Sequence, residues 1–269
     1  MTEGCMTDCL LTEQRGQVLW ITLNRPNRLN ALTEAMITEL RELFENLRRR
    51  PDIRVVILRG TGRGFCAGLD LTGKDGFEDQ GVGVLLDGQR RIAEIVIAMR
   101  RCPQPIIAMV QGPASGGGFA LALASDVRIA TPDARFNAAF IKVGLSACDI
   151  GVSYFLPRMV GFSVASELLL TGAFLEADRA VQMGLVSRIV PPDALEGEAT
   201  TLAGEMLNAT PLGLRLTKEA LSFAVDAQGL EAVVAMEDRN QILCVKDENF
   251  EEGIRAFLEK RKPDFDRPG

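Results

Sequence analysis

The sequence predicts an α/β fold with a helical C-terminal subdomain, and three observations carry that reading. Short apolar runs of strand length alternate with segments of helical periodicity as far as Val190. One alternation, Pro105 to Ala130, is strand, turn and helix without a break. Its strand, Ile106 to Val110, is apolar and β-branched, Gly112-Pro113 closes it, and Gly116-Gly117-Gly118 opens a stretch rich in Ala and Leu. From Ala194 to Lys262 the pattern is helical only, so the chain divides into a core of residues 1–194 and a helical region of residues 195–269.

Taken in order, Gln17 to Leu23 alternates like a strand and is broken by Asn24-Arg25-Pro26-Asn27. A helix follows with Thr33 as its N-cap: Met36, Ile37, Leu40, Leu43, Phe44 and Leu47 form one stripe, and Pro51 ends the run. Arg48, Arg49 and Arg50 complement the negative end of that helix and read as a solvated helix end. Ile53 to Leu58 is the second strand, leaving through a glycine-rich exit, Gly60 to Asp70. Its glycine spacing is no dinucleotide fingerprint, because no acidic residue on a following strand completes the unit. Leu71 to Val84 reads as a mobile loop and Leu85 to Arg101 as a helix carrying Ile92, Ile95, Val96 and Met99. Beyond the glycines come strands at Val127 to Ala130 and Arg135 to Ala138. Helices at Phe155 to Val160, Ser163 to Leu170 and Glu176 to Met183 follow, then a strand at Val186 to Val190.

Composition narrows the chemistry. Hydrophobic residues at 47% and charged residues at 25% describe a globular chain long enough, at 269 residues, for one large core. A formal charge of −6 leaves no global footprint for nucleic acid. No leader-like N-terminus and no apolar stretch of roughly 18 residues is present, so the expectation is a cytoplasmic protein without membrane association. Six cysteines lack a CxxC pair and are read as free thiols. The chain has no histidine at all, which removes the commonest general base, the Ser-His-Asp triad and every His-containing zinc site. Acid–base work falls to carboxylates, Lys, Tyr, Cys or water.

Three consecutive glycines at a helix start are costly in backbone entropy, which points to positive φ or to close approach of something to the main chain. A helix N-terminus supplies free N–H groups and the positive end of the macrodipole. Two readings stay open from the residues alone: an anion or oxyanion site built of backbone amides, or a tight turn with close strand and helix packing.

Ordered motifs then cover nearly the whole chain: Leu23-Asn24-Arg25-Pro26 with Leu29-Asn30-Ala31-Leu32, Gly64-Phe65-Cys66-Ala67-Gly68-Leu69-Asp70, Ile107 to Gly112 with Gly116-Gly117-Gly118, Leu170-Thr171-Gly172 with Ala177-Asp178-Arg179-Ala180, Gly184-Leu185-Val186, and Gly253 to Lys262. Together they resemble the crotonase superfamily, also called the enoyl-CoA hydratase/isomerase family. The resemblance implies a crotonase-type spiral of ββα units with two sheets, and a C-terminal helical region that makes a homotrimer or a dimer of trimers. It implies an acyl-CoA thioester substrate, coenzyme A entering as part of that substrate, no permanently bound cofactor and no metal. The family stabilises a thioester enolate with two backbone amides, which by position are those of Ala67 and Gly117. Contacts to CoA are implied for Arg25, Arg28, the turn Ala67-Gly68-Leu69-Asp70, and Lys260, whose other reading is a solvated helix-end charge.

The chain departs from the family where hydratases carry two glutamates. Those positions are Ala120 and Phe140, and neither can move a proton. Asp149, in Gly144 to Gly151, matches with one extra residue the segment where dienoyl-CoA isomerases of the family carry a catalytic aspartate. Two readings of Asp149 stay open: acid–base catalyst, or N-cap of the helix that Val152 and Tyr154 begin. Isomerase-like or atypical hydratase activity, a catalytically impaired CoA-thioester binder, and thioester hydrolysis all remain compatible with these residues. Cys66 and Cys148 are read as small apolar fillers, Tyr154 as a partly buried aromatic, Asp70 and Glu167 as local stabilisers, and Ser115 as a turn or cap residue.

Overall fold

The protein is described by a computed structural model covering residues 8–72 and 80–265. A hairpin of β1 (Leu10–Arg15) and β2 (Val18–Leu23) starts a sheet that continues in parallel through β3 (Val55–Gly60), β4 (Ile106–Val110), β6 (Val127–Ala130) and β9 (Arg188–Ile189). A second sheet joins β5 (Pro113–Ser115), β7 (Arg135–Asn137) and β8 (Leu175–Glu176). Helices α1 (Glu34–Asn46), α2 (Val82–Arg101) and α3 (Gly117–Ala124) make the crossovers of the large sheet. The segments α4 (Val152–Val160), α5 (Phe162–Thr171) and α6 (Ala177–Gln182) follow the second sheet's strands, and α7 (Leu195–Leu207), α8 (Pro211–Ala224), α9 (Leu230–Val245) and α10 (Phe250–Leu258) complete the chain.

The parallel strands are apolar throughout because both faces are covered. Val56 and Leu58 of β3 join Ile106, Ala108 and Val110 of β4 in the main core beneath α1 to α3. Their neighbours Val55, Ile57, Ile107 and Met109 face the other way, onto Leu195, Ala199 and Ala203 of α7. Those three residues are one helix face at a spacing of four, so α7 closes the second side of the sheet. The division expected at residue 194 therefore leaves α7 as part of the sheet's packing. Helix α8 is anchored by the buried Lys218, whose Nζ lies 2.9 Å from Asp126 Oδ2 and donates to Gln104 O at 2.7 Å.

Most elements lie where the periodicity places them, with instructive differences. Thr33 caps α1, its hydroxyl accepting from Met36 N at 3.2 Å. The arginines after α1 bind locally: Arg48 donates to Arg101 O and Arg50 pairs with Asp52 at 2.7 Å. Helix α2 begins at Val82, so the last residues of the expected Leu71 to Val84 loop are helical, and residues 73–79 of it lie outside the described residues. Strand β1 has no counterpart in the sequence reading, since only its first residue is buried and no alternation marks it. Among the described residues, no helix is long and apolar enough to cross a membrane.

Candidate active site

The site lies where β3 and β4 run out. Two residues beyond the end of β4 stands Gly112, whose φ of +54° and approach to Arg63 O would leave a Cβ only 2.1 Å from that oxygen. The chain then forms β5 and turns through Gly116, at φ +51°, into α3. All eight residues of α3 are buried, so its free N-terminal amides face a fixed surface. Strand β3 leaves through Asn30's amide, which is fully buried and donates to Gly64 O and Thr61 O at 2.8 Å. Asn30 thereby gathers the glycine-rich exit, a role its sequence position did not reveal.

From Cys66 to Asp70 nearly every amide is already used. Cys66 N donates to Pro113 O at 3.1 Å, Ala67 N to Leu29 O at 2.9 Å, and Asp70 N to Leu32 O at 2.9 Å. This corrects the expectation for Ala67: its N–H is spent on the 29–32 segment and cannot be offered to a substrate oxygen. Leu32 N donates in turn to Gly68 O at 2.7 Å, and Leu32 and Leu69 form a parallel bridge. In such a bridge the amide of Leu69 points away from Leu32. Among the described residues, neither Leu69 N–H nor Gly117 N–H has an acceptor. Gly68, at φ +97°, presses this turn onto the start of α3; a Cβ on it would lie 2.9 Å from Ser115 O and 3.1 Å from Gly117 N. The free amides of Leu69 and Gly117 thus both lie where this turn is pressed against the start of a buried helix.

The walls around them are apolar. Above Gly117 lie Leu32 Cδ1 and Ile150 Cδ1, 3.4 and 3.8 Å from where its Cβ would be, and Phe140 Cε1 is 3.5 Å from the corresponding point on Gly116. Ala120 and Phe140 are both buried. The carboxylate nearest this wall in sequence is Asp149, adjacent to Ile150. Its Oδ1 accepts from Ile150 N at 2.8 Å and from Gln89 Nε2, on α2, at 2.6 Å. Burial pushes the Asp149 carboxyl above its ordinary value, against the hydrogen bond from Ile150 N. Asp149 is not the N-cap of α4: that position is Gly151, at φ +79°, with no side-chain cap bond.

The expected CoA-contacting residues fall into two groups. Arg25 Nη1 lies 2.8 Å from Asp70 Oδ2 and donates to Ala31 O at 2.6 Å, a clamp across the 25–32 and 66–70 segments. The Asp70 carboxyl is held at about 2, first by the Thr72 hydroxyl, then by the Thr72 amide and Arg25. Arg28 is exposed in the short turn Pro26–Arg28 beside this clamp. Lys260 is exposed just beyond α10, and no described contact joins it to that turn.

The remaining candidates have local duties. Cys66 is fully buried against Asn30 O, and burial raises its thiol to about 12, so it is no nucleophile. Cys148 is exposed. The Tyr154 hydroxyl donates to Asp226 Oδ2 at 2.7 Å, and Glu167 pairs with Arg179 at 3.0 Å on the surface. Ser115 makes no cap to α3; its backbone N–H donates to Cys66 O at 2.9 Å.

Comparison with known proteins places these features in a lineage. Residues 13–268 match the family described as enoyl-CoA hydratase/isomerase. A Mycobacterium tuberculosis protein described as "Probable enoyl-CoA hydratase EchA12" is 37% identical over 269 residues, covering 95% of this chain and 92% of that one. The 1,2-epoxyphenylacetyl-CoA isomerase of Escherichia coli is 35% identical over 265 residues, covering 97% and 99%. The crystal structure of an enoyl-CoA hydratase from Mycobacterium smegmatis superimposes with a TM-score of 0.88 at 34% identity, covering 96% of this chain and 99% of that one.

Proposed function

The chain belongs to the enoyl-CoA hydratase/isomerase family, and we propose that within it the protein works as an isomerase, with Leu69 and Gly117 as its oxyanion donors and Asp149 as its proton carrier. It is an acyl-CoA enzyme of hydratase/isomerase type, and relatives of both kinds stand at nearly equal identity, so identity alone does not choose the reaction.

The observation that carries the choice is the site's proton inventory. Syn-hydration requires a positioned water and groups to take and give protons. Ala120 and Phe140 supply a dry, apolar wall where the hydratase pair would stand, leaving Asp149 as the single carboxylate assigned to the chemistry. One carboxylate suffices for a proton shift. With the thioester oxygen between the Leu69 and Gly117 amides, Asp149 takes a proton from carbon as the C–H electron pair moves into the enolate. The same carboxyl then returns the proton at a different carbon, so the double bond migrates and nothing is consumed. The paired amides stabilise the charge on the enolate oxygen, the larger contribution in such sites. Arg25, through its clamp on Asp70, shapes the Gly68-Leu69-Asp70 turn, with Arg28 and Lys260 as the exposed cations for CoA phosphates. A homotrimer or dimer of trimers is part of the same reading, supported by the exposed Leu221, Phe223, Leu230, Ile242 and Phe257 of α8 to α10.

The test is a panel of saturated, 2-enoyl, 3-enoyl and dienoyl-CoA thioesters with products identified. Migration of the double bond is expected, and Asp149→Asn should lose it by about 10² to 10⁴-fold, the usual contribution of a positioned acid–base group. A 3-hydroxyacyl product would favour hydration instead, and binding without turnover of any thioester would leave a binding protein. Unchanged turnover in Asp149→Asn would remove Asp149 from the mechanism.

A further inference from the structure

Helix α2 carries a polar residue inside its apolar stripe. Leu85, Gln89, Ile92, Val96 and Met99 fall on one face, and the last three are buried core residues. A leucine at position 89 would continue that stripe. Gln89 instead turns its amide to Asp149, with Nε2 2.6 Å from Oδ1. The orientation of that amide is imposed by its partner, since the reverse would set its oxygen against a carboxylate.

The same Oδ1 takes the Ile150 amide at 2.8 Å, so two donors converge on one oxygen while Oδ2 has no partner among the described residues. A second, independent feature lies next to it: Ile150 is held at φ +46°, a region that costs a β-branched residue energy and that persists only where surroundings enforce it. That conformation lets one dipeptide present the carboxylate to Gln89 and the Ile150 side chain to the Gly117 wall.

We propose that Gln89 is the positioning residue for Asp149: it fixes the carboxyl plane so that Oδ2 alone exchanges protons with the acyl chain, and it ties that exchange to the placement of α2. The inference rests on the assignment of Asp149 given above. Gln89 is suited to this because it donates a hydrogen bond at every pH and carries no charge of its own. The charged groups on the surrounding elements are engaged elsewhere or exposed. On α2, Asp87 pairs with Arg90, Glu94 pairs with Arg41, and Arg91 is exposed. On α4, Arg158 and Tyr154 turn to Asp226. Lys142 and Cys148, in the preceding segment, are exposed. Gln89 is therefore the side chain through which the protein sets this carboxylate.

Two variants test it. Gln89→Leu fits the apolar stripe and removes the donor; Gln89→Glu keeps the shape and places a second carboxyl beside the first. In the full-length protein with carboxyl-labelled Asp, the Asp149 titration is followed by carbon NMR in parallel with the pH profile of kcat/KM. Losing a hydrogen bond to the charged form should move both upward by about one pH unit in Gln89→Leu, and further in Gln89→Glu, where two carboxyls share a proton. In Gln89→Leu, kcat should fall about tenfold or more with KM nearly unchanged, as expected when only the reacting geometry is disturbed. A purely structural role would shift the thermal midpoint and leave the titration in place. An Asp149 titration identical in the parent and in both folded variants would overturn the proposal. Failure of the Asp149 assignment would look different: unchanged turnover in Asp149→Asn, alongside a titration that still moves in Gln89→Leu.

Discussion

Adjacent glycines at the start of α3 should respond oppositely to the same substitution. A Cβ on Gly118 would lie 2.2 Å from Cys66 O and 2.6 Å from Cys66 Cβ, whereas one on Gly117 would meet nothing nearer than Leu32 Cδ1 at 3.4 Å. Ordinary contact begins near 3.4 Å, so Gly118→Ala falls short by 3.4 − 2.2 = 1.2 Å against a backbone carbonyl that cannot rotate away. Overpacking of this kind costs roughly 3 kcal/mol, and the better helix propensity of Ala returns about 1 kcal/mol. The net loss is about 2 kcal/mol, or roughly 4–8 °C in Tm for a chain of this size. Gly117→Ala carries the same propensity gain without the clash and should stay within about 1 kcal/mol of the parent. Its methyl nevertheless enters the space between the amide pair and the Leu32 and Ile150 side chains, so turnover should fall while the fold persists. Urea denaturation and thermal melts at one fixed protein concentration measure the stabilities, since assembly would otherwise contribute. A Gly118→Ala protein as stable as the parent would refute the packing argument, because no flexible side chain is available to absorb the contact.

Two further outcomes follow from the electrostatics. Iodoacetamide applied to the native protein at mildly alkaline pH should label the exposed Cys148 and spare Cys66, whose buried thiol is raised to about 12; peptide mass spectrometry would expose the error if Cys66 reacted comparably. Asp70, held at about 2 in the folded chain against roughly 3.9 when unfolded, contributes stability that is fully present above the unfolded value and lost as pH falls through the folded one. The gap between the urea midpoints of the parent and Asp70→Asn should accordingly be widest above about pH 5 and close toward pH 2. Parallel curves over that range would contradict the clamp.

The parts of this protein that sequence made legible are those fixed by local periodicity and by glycine. The parallel strands, the stripe and Thr33 cap of α1, and the opening of α3 all depend on residues near one another in the chain. Strand β1 was hidden because it is an edge strand made by pairing with β2, with no alternation of its own. The free amide of the glycine-rich turn lies two residues beyond the one expected, for a comparable reason. Ala67 and Leu69 are equivalent in a linear motif, and only the bridge to Leu32, a partner from the preceding loop, decides which N–H is consumed. Asp149 before a helix looked like a cap, yet the left-handed turns at Ile150 and Gly151 put a glycine in that place. Gln89 did leave a trace, a polar residue in an apolar stripe, but its partner lies 60 positions away.

The complete burial of α3 has a corollary for substitution. A helix with no exposed residue offers almost no surface on which substitutions are tolerated, so the placement of Gly117 is tied to the packing of the whole scaffold. Helix α2 is different: its first turns are exposed, and Gln89 sits at the boundary where exposure gives way to the core. Exchanging residues on the exposed turns of that helix leaves the packing of α3 untouched, whereas a change at Ala120, inside α3, has to be absorbed by the core. Side chains facing the site from α2 can then vary without refolding the backbone that holds Gly117.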